Sequence, residues 1–179
     1  MNESPEVNGY QVYHRRVRVV VALGCLVIAA CGGGGGEPGA GFVAATVDGQ
    51  SWRASGQGSF LTTANGQSAL TILGFTPLPG STKQADMTKP TLEFVFSGEL
   101  PAAGSYDVAT TSSLSVTFWP DQTHAYGASS GAVVIASISA GHADGTFAFT
   151  AVLAPSGPDM VAVSDGSFSV PISAVGAAP

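Results

Sequence analysis

The segment GTFAFTAVL, residues 145–153, carries the pattern that decides the fold. Phe147, Phe149 and Leu153 fall on one side of an extended chain, and small or polar residues alternate with them on the other. Period-2 alternation is typical of a strand with one buried face, because successive side chains of a strand point to opposite sides. The segment therefore predicts a half-buried β-strand.

The same alternation recurs at residues 92–97, 114–118 and 167–172. These runs are rich in threonine, valine and phenylalanine, which are enriched in strands. Beyond residue 30, no window of a dozen residues shows sustained helical periodicity. The chain is therefore predicted to be all-β.

Turn signals divide these runs. Four dipeptides tolerate a positive φ and are predicted to form turns: Asp48-Gly49, Asn65-Gly66, Asp144-Gly145 and Asp165-Gly166. The first two predict hairpins that join residues 42–47 to 50–54 and residues 58–64 to 67–75. All four pairs separate short strands, as expected of an antiparallel fold.

Two longer segments are predicted to be loops. Residues 76–90 hold three prolines, which a central strand excludes, and residues 120–131 hold several polar side chains. The map then contains about nine or ten short strands in one domain, residues 42–179. It predicts a single antiparallel β-sandwich, with a β-barrel as the alternative.

The N-terminal segment has the layout of a secretory signal. Arg15, Arg16 and Arg18 precede an apolar run of about a dozen residues, against roughly 20 for a membrane span. The motif Ile28-Ala29-Ala30-Cys31 resembles the bacterial lipobox, in which the cysteine is acylated and becomes the first residue after cleavage. Residues 1–30 are therefore predicted to be a cleaved signal peptide, and Cys31 the lipidated residue.

Residues 31–41 are predicted to tether the domain to a membrane. The five glycines after Cys31 cannot pack into a core and behave as a flexible linker. Several acyl chains on one cysteine would hold the protein stably at the bilayer. The expected location is the cell envelope, and by resemblance to such lipoproteins Gly32 favours the outer membrane where two membranes exist.

The charge of the predicted mature chain limits its partners. From Cys31 onward, three basic side chains stand against ten carboxylates, a formal charge of −7. A surface so poor in lysine and arginine lacks the means to neutralise phosphates, so no nucleic-acid partner is expected.

Once Cys31 carries lipid, no cysteine remains for a disulfide. No cofactor or metal is predicted either.

Short motifs resemble the DUF6252 family of bacterial lipoproteins. They are Val47-Asp48-Gly49-x-x-Trp52-x-Ala54, Gly104-x-Tyr106, Gly145-Thr146-Phe147-x-Phe149 and Val163-x-Asp165-Gly166-x-Phe168. The resemblance covers roughly residues 45–172. It implies a β-rich lipoprotein domain, and it carries over no catalytic residue because the family has no known function.

Four residues are candidates for contact with a ligand or partner. Trp52, shortly after a predicted turn, is interpreted first as a core anchor and second as a stacking platform for a sugar. Asp121, His124 and Tyr126 fall in one predicted loop, and side chains of these types serve in acid–base catalysis or metal binding. Their spacing matches no metal-ligand pattern, so their expected role is contact.

The segment Gly127-Ala128-Ser129-Ser130-Gly131 matches the G-x-S-x-G pattern of a nucleophile elbow. Its serine needs a strand before it and a helix after it, and no helix is predicted there.

The sequence thus predicts a noncatalytic, membrane-anchored domain that binds an envelope protein, a glycan or a surface through the loops at 76–90 and 120–131. A lipophilic-ligand carrier and a hydrolase acting through Ser129 or His124 are the alternatives.

Overall fold

The computed structural model describes residues 41–64, 67–81, 84–139, 141–155 and 157–175. The predicted signal peptide, Cys31 and nearly all of the tether lie outside the described residues, as does the Asn65-Gly66 turn. No helix in the described ranges has the length and apolar character needed to cross a membrane.

The described chain is all-β, as predicted. Its eleven strands are β1 (Phe42–Val47), β2 (Gln50–Arg53), β3 (Gly56–Ala64), β4 (Gln67–Phe75), β5 (Thr91–Gly98), β6 (Gly104–Asp107), β7 (Leu114–Trp119), β8 (Tyr126–Ser139), β9 (His142–Leu153), β10 (Met160–Pro171) and β11 (Ser173–Val175). All pairs are antiparallel except β11 with β3.

One continuous sheet, curled like a half-barrel, contains all eleven strands. Its order is β11-β3-β4-β5-β7-β8-β9-β10-β1-β2, and β6 pairs separately with β8. Only Ile172 separates β10 from β11, which pairs with β3. The chain thus passes from β10, third from one end of the strand order, to β11 at the other end, and this connection requires the sheet to curl.

The hairpin β1–β2 packs against β3 and β4 across the opening of this curl. A Cβ built on Gly74 of β4 would lie 2.7 Å from Cβ of Val43 on β1 and 3.2 Å from Cη2 of Trp52 on β2. Side chains therefore fill the opening, and the glycine lets the two edges approach closely.

The alternation that predicted strands also predicts the core. Phe147 and Phe149 are buried, whereas Thr146 and Ala148 between them are exposed. The Phe147 ring packs edge-on against that of Phe94, with 4.8 Å between the ring centroids. Aromatic contacts of this kind add to the hydrophobic gain from burial.

The turn predictions were right at Asp48-Gly49 and wrong at Asp144-Gly145 and Asp165-Gly166. Asp48 and Gly49 join β1 to β2 with φ angles of 47° and 78°. The other two pairs lie inside β9 and β10. The physical reason is that Gly145 and Gly166 make room for phenylalanine rings of the neighbouring strand, so they belong to the ladder.

The loop predictions were partly right. The described part of residues 76–90 contains no strand, only an isolated bridge between Pro77 and Ala85. The prediction for residues 120–131 was wrong from Tyr126 onward, because β8 begins there and pairs with β9. The residues of this segment form ladder pairs with β9, so their polarity alone was misleading.

Candidate functional site

A shallow groove of about 590 Å³ lies on the outer face of β8, β9 and β10. Its surface includes the exposed side chains of Val134, Thr146 and Ala148. Asp107 lines it from the β6 side and Asp165 from the β10 side. The site therefore combines a mostly apolar floor with a carboxylate on each flank.

Irregular backbone on both sides of β9 shapes the groove. The β8–β9 register shifts between Ala128 and Ser130, and the β9–β10 register shifts between Val163 and Gly166. A β-bulge bends its strand and increases the local twist. The two bulged strands thus flank the middle of β9.

The groove also contains residues where a side chain has no room or where the backbone angle is unusual. Gly131, at φ 111°, and Gly166 both line the groove and present no side chain. Asp165, at φ 51°, occupies a left-handed conformation that aspartate tolerates better than most residues. The space beside Gly131 is taken by the β9 backbone and that beside Gly166 by the Phe147 ring, so the shape of the groove is attributed to the bulges.

The two carboxylates of the groove are oriented by local hydrogen bonds. Oδ1 of Asp107 accepts from the backbone amides of Ala109 and Thr110, both at 2.9 Å, and from Oγ1 of Thr110 at 3.0 Å. Oδ2 of Asp165 accepts from Oγ of Ser164 at 3.0 Å. Neither carboxylate pairs with a lysine or arginine of the described chain, so both present negative charge to the solvent.

A polar network lies farther along the same three strands. Nε2 of His142 is 2.9 Å from Oγ of Ser169 and 3.2 Å from Oδ1 of Asp144, whose Oδ2 accepts from Ser137 Oγ at 2.8 Å. A serine–histidine–acid triad needs the serine and the acid on opposite ring nitrogens. Here both contact Nε2, so the arrangement is not a catalytic triad.

The network changes the acidity of its carboxyl group. Hydrogen bonds from the hydroxyl of Ser169, then from that of Ser137, hold the pKa of Asp144 below its ordinary value. They do so because they stabilise the ionised form. Asp144 is thus a carboxylate engaged by its own neighbours across β8, β9 and β10.

Asp121 and His124 lie together, as their common loop predicted. Their hydrogen bonds are made within residues 121–124. Oδ1 of Asp121 accepts from the amide of Thr123 at 2.7 Å and from its hydroxyl at 2.6 Å. Nδ1 of His124 is 2.9 Å from Oδ2 of the same carboxylate. These hydrogen bonds, led by the Thr123 hydroxyl, hold the pKa of Asp121 well below its usual range.

Tyr126 does not join this pair. It begins β8 opposite Phe118 and Leu153, and its half-buried ring packs against the core. Trp52 also packs against the core, beside Gly74, as its first interpretation expected. The structure thus brings together two of the four candidate contact residues, Asp121 and His124, and gives Trp52 and Tyr126 positions in the packing.

Ser129 lies within β8, where the nucleophile-elbow pattern would require a sharp strand-to-helix turn. Its Oγ donates to the carbonyl of Thr150 at 3.2 Å, and β8 continues to Ser139.

No group of three or more histidine, cysteine, aspartate or glutamate residues is arranged to hold a metal in the part of the chain that the structure describes.

The groove itself was not predicted from the sequence. The bulges that shape it depend on the registers of β8, β9 and β10 together, and no single stretch of sequence indicates them. No family model, curated protein or solved structure matches the chain. The resemblance to DUF6252 proteins therefore rests on the short motifs alone.

Proposed function

We propose that this chain is a lipid-anchored extracytoplasmic protein whose noncatalytic β-domain binds a partner in the cell envelope through the groove. The observation that carries the proposal is the contrast between two sets of polar groups. Asp121 and Asp144 each contact a histidine close to them in the chain, whereas Asp107 and Asp165 contact no imidazole in the described part of the chain and flank an open concavity. A concave site with a few oriented polar groups is suited to binding.

Geometry favours binding over catalysis. A nucleophile must be hydrogen-bonded to a base that is itself oriented by a third group. His142 meets both of its partners through one nitrogen, and Nδ1 of His124 faces only its own loop. Each imidazole therefore meets its hydroxyl and its carboxylate through the same ring nitrogen, which is not the arrangement of an oriented general base.

A packed interior argues against the carrier alternative. Such a carrier needs a cavity inside the curled sheet, but the rings of Phe94, Phe147 and Phe168 contact one another there. Phe94 and Phe168 are almost fully buried. The interior is thus occupied by side chains where a lipophilic ligand would have to lie.

The tether supports the anchored part of the proposal. Ten residues, 32–41, separate Cys31 from the first strand. Fully extended, they reach at most about 35 Å. A domain held on this tether samples the region next to the membrane, where an envelope partner would be met.

Metabolic labelling with radioactive palmitate tests the anchor. Label in the wild type and none in Cys31→Ser is expected, and the variant should leave the membrane fraction. Absence of label in the wild type would overturn the lipid anchor without bearing on the groove.

Site-specific photo-cross-linking in intact cells tests the groove. A photoreactive side chain at Thr146, on the groove floor, should join the protein to a defined envelope component. The same group at exposed Ser112, in the turn before β7, is the matched control and should not. Equal cross-linking from both positions, or from neither, would contradict a binding role for the groove.

A further inference from the structure

The groove has one carboxylate on each side, and three interstrand spacings separate the strands that carry them. Asp107 is on β6, which pairs with β8, and Asp165 is on β10, beyond β9. With about 4.8 Å between neighbouring strands, the backbones of β6 and β10 lie roughly 14 Å apart, and this spacing sets the scale of the distance between the two carboxylates. A ligand that satisfies both must therefore be elongated.

The described chain supplies no cation to these carboxylates. Arg53 stacks over Phe42, with 4.8 Å between Cζ and the ring centroid, and its strand is β2 at the free edge. Lys89 lies in the segment before β5. The predicted mature chain carries a formal charge of −7. Charge complementarity thus points to a cationic occupant.

The floor between the carboxylates suits a chain with a small, mostly apolar body. Val134 and Ala148 are exposed there, while Thr146 and Ser167 add hydroxyl groups that can bond to peptide amides or carbonyls. An extended peptide advances about 3.4 Å per residue. Roughly 14 Å therefore corresponds to four residues, and residues four apart point to the same side of an extended chain.

We propose that the groove binds an extended polypeptide segment of the partner that carries two lysine or arginine residues four positions apart. One cation pairs with Asp107 and the other with Asp165, and the intervening small residues lie on the floor. The inference rests on the proposed function, because it names the chemistry of the partner at that same groove.

Binding of a fluorescent peptide to the full chain in detergent tests the inference. The probe is a capped ten-residue peptide of alanine and serine with lysines at positions 3 and 7, and its controls have lysines at 3 and 4 or glutamates at 3 and 7. We expect the 3,7-lysine peptide to bind at least tenfold more tightly than either control. Binding should weaken as salt rises, because exposed charges are screened.

Asp107→Asn and Asp165→Asn are each expected to weaken binding of the 3,7-lysine peptide about tenfold. Asparagine retains the oxygen that caps residues 109 and 110 and tolerates the left-handed backbone at 165, so the variants should fold. Glu99→Gln, an exposed carboxyl outside the groove, is the matched control and should change nothing. Ala148→Lys, which places a cation on the floor, should abolish binding.

Equal affinity for the lysine and glutamate peptides, or lysine binding unaffected by both asparagine variants, would overturn the inference. If Thr146 still cross-links to one envelope component in that case, the binding function stands and its partner has another chemistry. If neither peptide binding nor Thr146 cross-linking occurs, both proposals fail together.

Discussion

The aromatic ring of Phe147 lies against the backbone of Gly166 on the neighbouring strand. The two residues are directly opposite in the β9–β10 ladder, and a Cβ on Gly166 would overlap the ring. Phe168 and Gly145 form the reciprocal pair in the same ladder. Each ring therefore occupies the space that a side chain on the opposite glycine would need. The two rings pack directly over the backbone of the neighbouring strand.

Replacing Gly166 by alanine should destabilise the domain. The new methyl group would displace the Phe147 ring, and overpacking of this kind costs about 1–3 kcal/mol. The free energy of unfolding from urea titration is the measurement. Gly127→Ala is the control: its added Cβ meets nothing within 4 Å, so a change below about 0.5 kcal/mol is expected.

A double-mutant cycle separates the ring contact from other effects of Gly166→Ala. Phe147→Leu shortens the side chain that the new methyl group would strike. The cost of Gly166→Ala should therefore be smaller in the Phe147→Leu background, with a coupling of about 1 kcal/mol. Strict additivity would show that the ring is not what excludes a side chain at 166.

Trp52→Ala should lower the free energy of unfolding by about 2 kcal/mol, less than the 3–5 kcal/mol typical of a fully buried aromatic. The side chain is half-buried and fills the opening between the β1–β2 hairpin and β4. Gln50→Ala, on the same strand but exposed, is the control. An unchanged free energy of unfolding in Trp52→Ala would contradict the core role of Trp52 and favour its second interpretation, contact with a ligand.

Ser169→Ala should raise the pKa of Asp144 toward its ordinary value, because the Ser169 hydroxyl is the largest cause that lowers it. A lowered pKa means that Asp144 favours the folded state above its unfolded-state pKa. That contribution is lost as pH falls through the folded-state pKa. Carboxyl ¹³C NMR titration measures the change directly.

Ser167→Ala is the matched control for this titration, since Ser167 is on the same strand but outside the network. Its effect on Asp144 should be negligible. An equal effect of both substitutions would show that the network does not set the acidity of Asp144.

Glu93→Gln should stabilise the domain at neutral pH and have little effect in acid. Burial on β5 raises the pKa of Glu93, so the folded state favours its protonated form. The wild type therefore loses stability as pH rises above the unfolded-state value of 4.5 and through the raised pKa.

Urea titrations at pH 4 and pH 7 check the behaviour of Glu93→Gln. The gain at pH 7 should be absent at pH 4, and Glu99→Gln, which is exposed, should show no such difference. A gain of equal size at both pH values would contradict the role of ionisation.

Strand positions were predictable because alternation is a local property. Phe147 and Phe149 face the core as their spacing required, and the Asp48-Gly49 turn needed only two adjacent residues. The sequence predicted a turn at Asp165, whose φ is 51°, whereas the structure has a register shift there inside β10. That choice depends on Phe147, which is far away in the chain.

The groove could not be predicted for the same reason. It arises where bulges on two different strands flank β9, so its position depends on the registers of β8 and β10 together. Asp107 reaches it only through the separate pairing of β6 with β8. Local patterns predicted polar residues in loops as the contact elements, whereas the concavity lies on a strand face.

The pairing of β1 with β10 has a consequence for how the domain is made. Phe42 and Ser169 are partners in the ladder, although more than a hundred residues separate them. In the described chain, β1 pairs only with β10 and with its hairpin partner β2. Contacts of such long range form slowly, because the chain between them must first be gathered. The first strand therefore cannot take its place in the sheet until β10, near the end of the chain, has been made.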